Sequence, residues 1–325
     1  MTRRSATRSL LLPLTPLYRV ALGLRELRLH SGIESVRRLK YPVVSIGSLS
    51  AGGSGKTPLT IALARALTGR GLQVDVLSRG YGRKSKAALC VDPDGSAEDY
   101  GDEPLLIARE SGRRVYVAQQ RYDAGLLAES GRIDSHAQIV HLLDDGFQHR
   151  QLHRDVNVVI VDERDLHDHL LPAGNLREPL RALQRADAIA TPSTSLETEA
   201  ALRKLGWHGA IWKLQRRMAV PWIQGPVVAF CGIARSDQFF AGLESHGLHL
   251  ASRIPFPDHH RFDQHDLDCV LGAARSINAA AFVTTEKDRV RLGKLVEQFS
   301  SVGPLLTAQL TIEIRDELET IDWLF

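Results

Sequence analysis

The sequence predicts an α/β protein: a mostly parallel sheet with helices on both faces, followed by a second, smaller α/β domain. Three observations point there. Val43-Val44-Ser45-Ile46 is apolar and β-branched, as a strand buried on both faces should be. Residues 59–67 repeat their apolar positions at helical spacing. Between the two lies Ser50-Ala51-Gly52-Gly53-Ser54-Gly55-Lys56-Thr57, a glycine-rich turn ending where a helix begins. Small residues let backbone N–H groups close on an anion, and the helix dipole favours negative charge there. Lys56 in such a loop reaches the β- and γ-phosphates of a nucleotide, and the Thr57 hydroxyl holds Mg²⁺. The strict pattern has Gly at position 50, where this chain has Ser. Gly53, Gly55, Lys56 and Thr57 keep the strand–turn–helix context. The fold class is therefore of the P-loop NTPase type, with residues 50–57 as the nucleotide-binding stretch.

The composition is globular, with 43% apolar and 24% charged residues, and 325 residues leave room for two domains. Cys90, Cys231 and Cys269 stand far apart and form no CxxC pair. Neither a disulfide framework nor a zinc site is expected, as suits a reducing cytosol. The formal net charge is +3, yet residues 1–40 hold nine Lys/Arg against Glu26 and Glu34, a balance of +7. The remainder balances at −4, so the positive charge belongs to one end and not to the fold as a whole. No nucleic-acid partner is expected.

That basic end is also apolar. Leu10 to Tyr18 contains two prolines, and Val20-Ala21-Leu22-Gly23-Leu24 continues it beyond Arg19. A signal peptide fits poorly, because no small-x-small cleavage site follows. A spanning helix needs about 20 unbroken apolar residues, and Arg19 interrupts the run. The pattern predicts an amphipathic segment lying on an anionic membrane surface, with its arginines meeting the headgroups. An ordinary helix packed on the domain is the plainer alternative.

The chain divides into an N-terminal membrane-associating segment (1–40), a P-loop core (41–225) and a C-terminal α/β domain (226–325). In the core, strands are predicted at 73–78, 87–91, 115–118, 138–144, 156–162 and 186–191. Helices are predicted from Leu105 and over 121–130. Arg79-Gly80-Tyr81-Gly82-Arg83 forms a polar loop at a strand's carboxyl end, where ligands of open α/β sheets bind. Residues 171–179, with two prolines and a glycine, form another loop. Beyond Pro226 a strand at 227–231, a helix capped by Ser236, a strand at 280–284, a helix opening at Thr285 and a closing strand at 305–314 are predicted.

Phosphoryl transfer needs positioned phosphates, Mg²⁺ and a group that orients the acceptor. The loop supplies the first. A hydrophobic strand ending in Asp144-Asp145 downstream of a phosphate loop is the usual source of a second Mg²⁺ contact, beside Thr57. For the third, Asp102, Glu103 and the His259/His260 pair are candidates, since a carboxylate near a histidine makes a base for a sugar hydroxyl.

These motifs together resemble the tetraacyldisaccharide 4′-kinase family. The resemblance runs from about Leu17 to the C-terminus. It rests on Gly-Gly-Ser-Gly-Lys-Thr-Pro (52–58), Ser-Arg-Gly-Tyr-Gly-Arg (78–83), Gly-Asp-Glu-Pro (101–104), Asp-Asp-Gly-Phe-Gln-His (144–149), Leu-Pro-Ala-Gly-Asn-Leu-Arg-Glu-Pro (171–179), Asp-His-His-Arg-Phe (258–262) and Thr-Glu-Lys-Asp (285–288). It implies ATP-dependent, Mg²⁺-requiring phosphorylation of the 4′-hydroxyl of an acylated disaccharide 1-phosphate lipid. The enzyme would sit peripherally on the cytoplasmic face of the bacterial inner membrane. Asp102 is implied as the base, paired with His260 in preference to His259. Asp144, Asp145 and Glu103 are implied around Mg²⁺, and Arg79, Tyr81, Arg121 and Glu178 near the disaccharide. Basic residues such as Arg79, Arg83 and Arg121 are suited to the substrate's 1-phosphate. The rival reading, a nucleotide-driven switch or partitioning ATPase, often carries a lysine before the paired glycines; here that position is Ala51.

Overall fold

The computed structural model describes residues 10–130, 138–192 and 196–324. Arg3, Arg4 and Arg8 of the basic end therefore lie outside the described residues. Among the described residues, twelve strands form one sheet in the order β10-β9-β11-β12-β8-β7-β6-β1-β5-β2-β4-β3. They are β1 (Val43–Ser48), β2 (Gln73–Ser78), β3 (Leu89–Cys90), β4 (Arg114–Val117), β5 (Ile139–Asp144), β6 (Val156–Ile160), β7 (Ala188–Pro192), β8 (Ala210–Ala219), β9 (Pro226–Cys231), β10 (His249–Pro255), β11 (Ala281–Thr285) and β12 (Leu305–Ile314). Central β1 and β5 are buried at every position, which is why they read as unbroken apolar runs rather than alternating ones.

From β4 to β8 the pairing is parallel throughout, and so it is from β10 to β12. The two sets meet at β8 and β12, which are antiparallel over Leu214–Ala219 and Gln309–Ile314. Registers show how the join works. Parallel neighbour β7 ends at Pro192, opposite Leu214. On the other side β11 ends at Thr285, opposite Ala308. The antiparallel stretch thus begins on each side where the parallel neighbour stops, and the carboxyl ends of both sets face each other across a two-stranded ribbon. Loops of residues 226–325 reach the glycine-rich loop for this reason.

Several predicted elements recur with shifted ends. The helix expected from Leu105 begins at Asp102, so the acidic pair occupies its first turn, where the helix dipole stabilises negative charge. Ser236 is not the cap of its helix: Arg235 holds the N-cap position, without a side-chain cap bond. Four longer elements are absent from the sequence prediction. These are the helices Leu196–Lys204 and Gln264–Ile277 and the strands β8 and β10. Polar residues alternate through β8, and β10 is an edge strand with no buried position, so neither shows a hydrophobic run. For Gln264–Ile277 a signal existed: Asp263 and Asp266 form a reciprocal capping box.

Residues Thr15–His30 form a helix. Tyr18 and Leu22 pack on the core beneath it, and the Tyr18 hydroxyl donates to the Arg177 carbonyl at 2.9 Å. Leu17, Val20, Leu24 and Leu27 stand exposed on the helix, with Leu10 and Leu14 before it. Their spacing of three and four residues makes one apolar stripe. No described helix is long and apolar enough to cross a membrane.

Candidate functional site

The loop between β1 and helix Lys56–Gly69 holds Gly52, Gly53 and Gly55 at φ of 73°, 61° and 93°, values L side chains avoid. Its neighbours press closely as well. A Cβ at Gly53 would come within 2.9 Å of Arg235 Nε, and one at Gly52 within 3.0 Å of Ala234 Cβ. The helix that follows has no side-chain cap and no acidic residue in its first turn. Its first N–H groups are therefore left for an anion. Lys56 is buried, with Nζ 3.3 Å from both Ser48 Oγ and Ser54 Oγ and 3.6 Å from Asp145 Oδ1. On its far side the loop is held by Arg216, whose Nη2 donates to the Ser54 carbonyl at 2.8 Å. The predicted loop at 171–179 runs beside it: Ala51 N donates to the Asn175 carbonyl at 2.8 Å. This positive, uncapped cradle fits a polyphosphate.

The end of β5 abuts it. Asp144 is buried and accepts from Thr60 Oγ1 at 3.2 Å and Ser78 Oγ at 3.4 Å. Burial, with Glu103 and Asp145 nearby, pushes its pKa up to about 7. Asp145 adopts φ 47° and takes two hydrogen bonds from Arg177, at 2.8 and 2.9 Å. Burial would raise its pKa, but Lys56 and Arg177 outweigh it and hold the carboxyl below the usual range. Phe147 presses so tightly on Gly47 of β1 that a Cβ there would lie 2.5 Å from its own, which locks this turn against the phosphate loop. Among the described residues no cluster of three or more His, Cys, Asp or Glu could hold a metal. Of the residues expected around Mg²⁺, Asp145 is held by Arg177 and Glu103 by Lys287, while Asp144 meets only the hydroxyls of Thr60 and Ser78. Thr57 and Asp144 carry the oxygens of the kind Mg²⁺ takes alongside phosphate and water.

Asp102 and Glu103 open their helix toward residues of the C-terminal third. Lys287 Nζ donates to Glu103 Oε1 and holds that carboxyl below its ordinary value. Asp102 is buried; its Oδ1 accepts from Glu103 N at 3.0 Å, and its Oδ2 meets Arg291 and, at 3.4 Å, His259 Nδ1. Burial works against ionisation, but the His259 hydrogen bond and the charge of Arg291 keep Asp102 well below the usual carboxylate range. In return, the Asp102 bond raises the His259 pKa against its own burial. His260 lies elsewhere and, contrary to expectation, does not pair with Asp102. Its Nε2 is 2.7 Å from Asp266 Oδ2 and its ring stacks on Phe256 at 4.8 Å. Adjacent residues in a bent loop point apart, and His259, at φ 57°, is the one turned to Asp102.

Beside Asp145 opens a cavity of about 330 Å³ lined by Arg25, Arg79, Arg121, Arg177, Gln148 and His149, among others. Arg121 is nine-tenths buried with an unpartnered Nε; burial first, then Arg79, lower its pKa to about 10 against the pull of Asp145. Tyr81 stands exposed, its ring 5.3 Å from that of His259. Glu178 does not line this cavity: its carboxylate is taken by Arg185. Arg83 instead packs over Gly80. Sequence reasoning missed Arg25, Arg177, Lys287 and Arg291. For Arg291 the signal was its position three residues after Asp288 on one helix.

A family model described as tetraacyldisaccharide-1-P 4′-kinase matches residues 7–324. A tetraacyldisaccharide 4′-kinase of Koribacter versatilis (strain Ellin345) is 39% identical over 321 residues, covering 95% of this chain and 96% of the relative. One from Aquifex aeolicus (strain VF5) is 37% identical over 298 residues, covering 88% and 90%. The solved structure of LpxK from Aquifex aeolicus in complex with ATP is similar at a TM-score of 0.74 and 32% identity, over 98% of both chains.

Proposed function

The chain belongs to the tetraacyldisaccharide-1-P 4′-kinase family, and on that premise we propose that Asp102, paired with His259, serves as the base for the acceptor hydroxyl. The reaction is transfer of the ATP γ-phosphate to the 4′-hydroxyl of tetraacyldisaccharide 1-phosphate, a step of lipid A biosynthesis that uses Mg²⁺. Residues 50–57 hold the triphosphate, with Lys56 and the helix N–H groups against its negative charge. Thr57 and Asp144, with Glu103 behind, would hold Mg²⁺, which supplies neutralising charge to the phosphate oxygens.

The observation that carries the base assignment is the Asp102–His259 contact beside the phosphate loop. A carboxylate of low pKa suffices there. The transition state of phosphoryl transfer is loose, so little charge builds on the attacking oxygen before its proton must leave. Asp102 orients the hydroxyl and takes its proton late, and His259 stabilises the carboxylate until then. The cavity of Arg25, Arg79, Arg121 and Arg177 suits the anionic, hydroxyl-rich part of the substrate, because guanidinium groups bind phosphate bidentately. Tyr81 flanks the same acceptor side.

The exposed stripe on helix Thr15–His30 supports peripheral docking on the cytoplasmic face of the inner membrane, apolar side down. The same helix carries Arg25 into the cavity, where it donates to the Gln148 carbonyl. Docking would thus bring the basic cavity to the lipid surface where the substrate resides. The direct test is Asp102→Ala. It should lower kcat by roughly 10²–10⁴-fold with the KM for ATP little altered. Near-normal turnover would remove Asp102 from the mechanism.

A further inference from the structure

We propose that Arg291 is a positioning residue for phosphoryl transfer, setting the Asp102 carboxylate and the His259 ring relative to each other. The proposal rests on the reading of Asp102 and His259 given above. Arg291 is almost fully buried, its side chain 6% exposed, and one guanidinium joins four segments. Its Nε lies 2.7 Å from Asp102 Oδ2, at the start of helix Asp102–Ser111. Nη1 donates to the Gly232 carbonyl at 2.6 Å, just past β9, and to Asp288 Oδ1 at 2.9 Å on its own helix. Nη2 contacts Asp102 Oδ2 and lies 3.2 Å from His259 Nδ1.

The rear of this arrangement is fixed. Asp288 is fully buried, and its other bonds go to Gly232 N at 3.0 Å and Thr285 Oγ1 at 2.7 Å. Arg291 therefore presents its front edge from a rigid base. That edge holds Asp102 Oδ2 through Nε and Nη2 and lies against the His259 ring, whose Nδ1 gives its proton to the same carboxylate. A planar five-donor fork can span these partners together; an ammonium on a flexible stem cannot. Asp102, at a helix start, and His259, in a loop, come from opposite sides of the β8–β12 ribbon. His259 N donates to the Gly232 carbonyl at 3.2 Å, the same carbonyl that Arg291 Nη1 meets, so Arg291 ties the start of the Asp102 helix to the strand end that carries His259.

The experiment is a double-mutant cycle on the full chain with ATP and tetraacyldisaccharide 1-phosphate, recording kcat, both KM values and the melting temperature. Arg291→Gln should lower kcat by roughly 10–100-fold, the span of coupling within one hydrogen-bonded network, with the KM for ATP unchanged. In the Asp102→Asn background the same substitution should cost less than about threefold, because the group it positions is already lost. Equal losses in both backgrounds mark a structural residue and overturn the proposal, as does unchanged kcat in the single variant. Should Arg291→Gln fail to fold, Arg291→Lys carries the same cycle. A smaller kcat loss that vanishes in the Asp102→Asn background supports the proposal, and an equal loss in both overturns it. Parent-like turnover of Asp102→Asn itself defeats the Asp102 reading and this one with it. A disabled Asp102→Asn with additive Arg291 defeats this one alone.

Discussion

Lys56 finds Ser54 two residues away and Ser48 eight residues away. Asp102 finds Arg291 at a separation of 189 residues, and neighbouring Glu103 finds Lys287 at 184. Both regions belong to one site, and both depend on positive charge meeting carboxylate or phosphate. The phosphate loop takes its shape from its own glycine conformations and the helix that follows, with Arg216 and Asn175 bracing it from afar. The acceptor corner has no shape until β8 and β12 pair and turn two sets of carboxyl ends toward each other. A local device resists distant change, whereas an assembled one inherits the precision of everything between its parts. Kinetic damage should therefore split differently between the two substrates.

After Asp102→Ala, the largest effect is expected at the loop. Lys56→Met should lower kcat by about 10²–10³-fold, as when one charge-stabilising donor is removed, with the KM for the lipid hardly moved. Arg121→Ala should do the reverse, raising the KM for the lipid by roughly 10–100-fold, the worth of hydrogen bonds to a charged group, with ATP unaffected. If steady-state kinetics showed both KM values moving together in either variant, the two regions would not be separable.

A smaller effect is expected away from the chemistry. Replacing Leu17 and Leu24 with Asp should abolish flotation with anionic vesicles while leaving turnover of detergent-dispersed substrate intact. Vesicle binding equal to that of the parent would end the membrane reading.

The smallest is a change of slope. Burial, with Arg121 and Arg154 beyond it, lowers the His149 pKa from 6.5 to about 3. Between those values the unfolded chain takes up a proton that the folded chain refuses, so stability declines as pH falls through that window. His149→Gln should flatten the melting temperature over that range. An unchanged slope would show that His149 is not held neutral beside the arginines.

Legibility followed the same division. Strand β2 and strand β12 were readable to the residue; the loop was readable from its glycines between strand and helix, and the helix from apolar periodicity over 59–67, short of Lys56–Gly69 at both ends. The His259/His260 choice was not, because neighbouring residues carry the same chemistry and only the φ of 57° at His259 separates them. Glu178 reads as a polar loop residue, yet its partner Arg185 takes it out of the cavity that Arg79 and Arg121 share.

The chain alone determined what short-range sterics and periodicity control: the buried strands, the positive-φ glycines, an uncapped helix start and the stripe of leucines near the N-terminus. Tertiary structure decided which histidine meets Asp102, that Arg291 contacts both, and that Arg25 joins the basic cavity. Those contacts follow from sheet register and from the antiparallel β8–β12 ribbon. Register is a property of paired strands and is written in no single stretch of sequence.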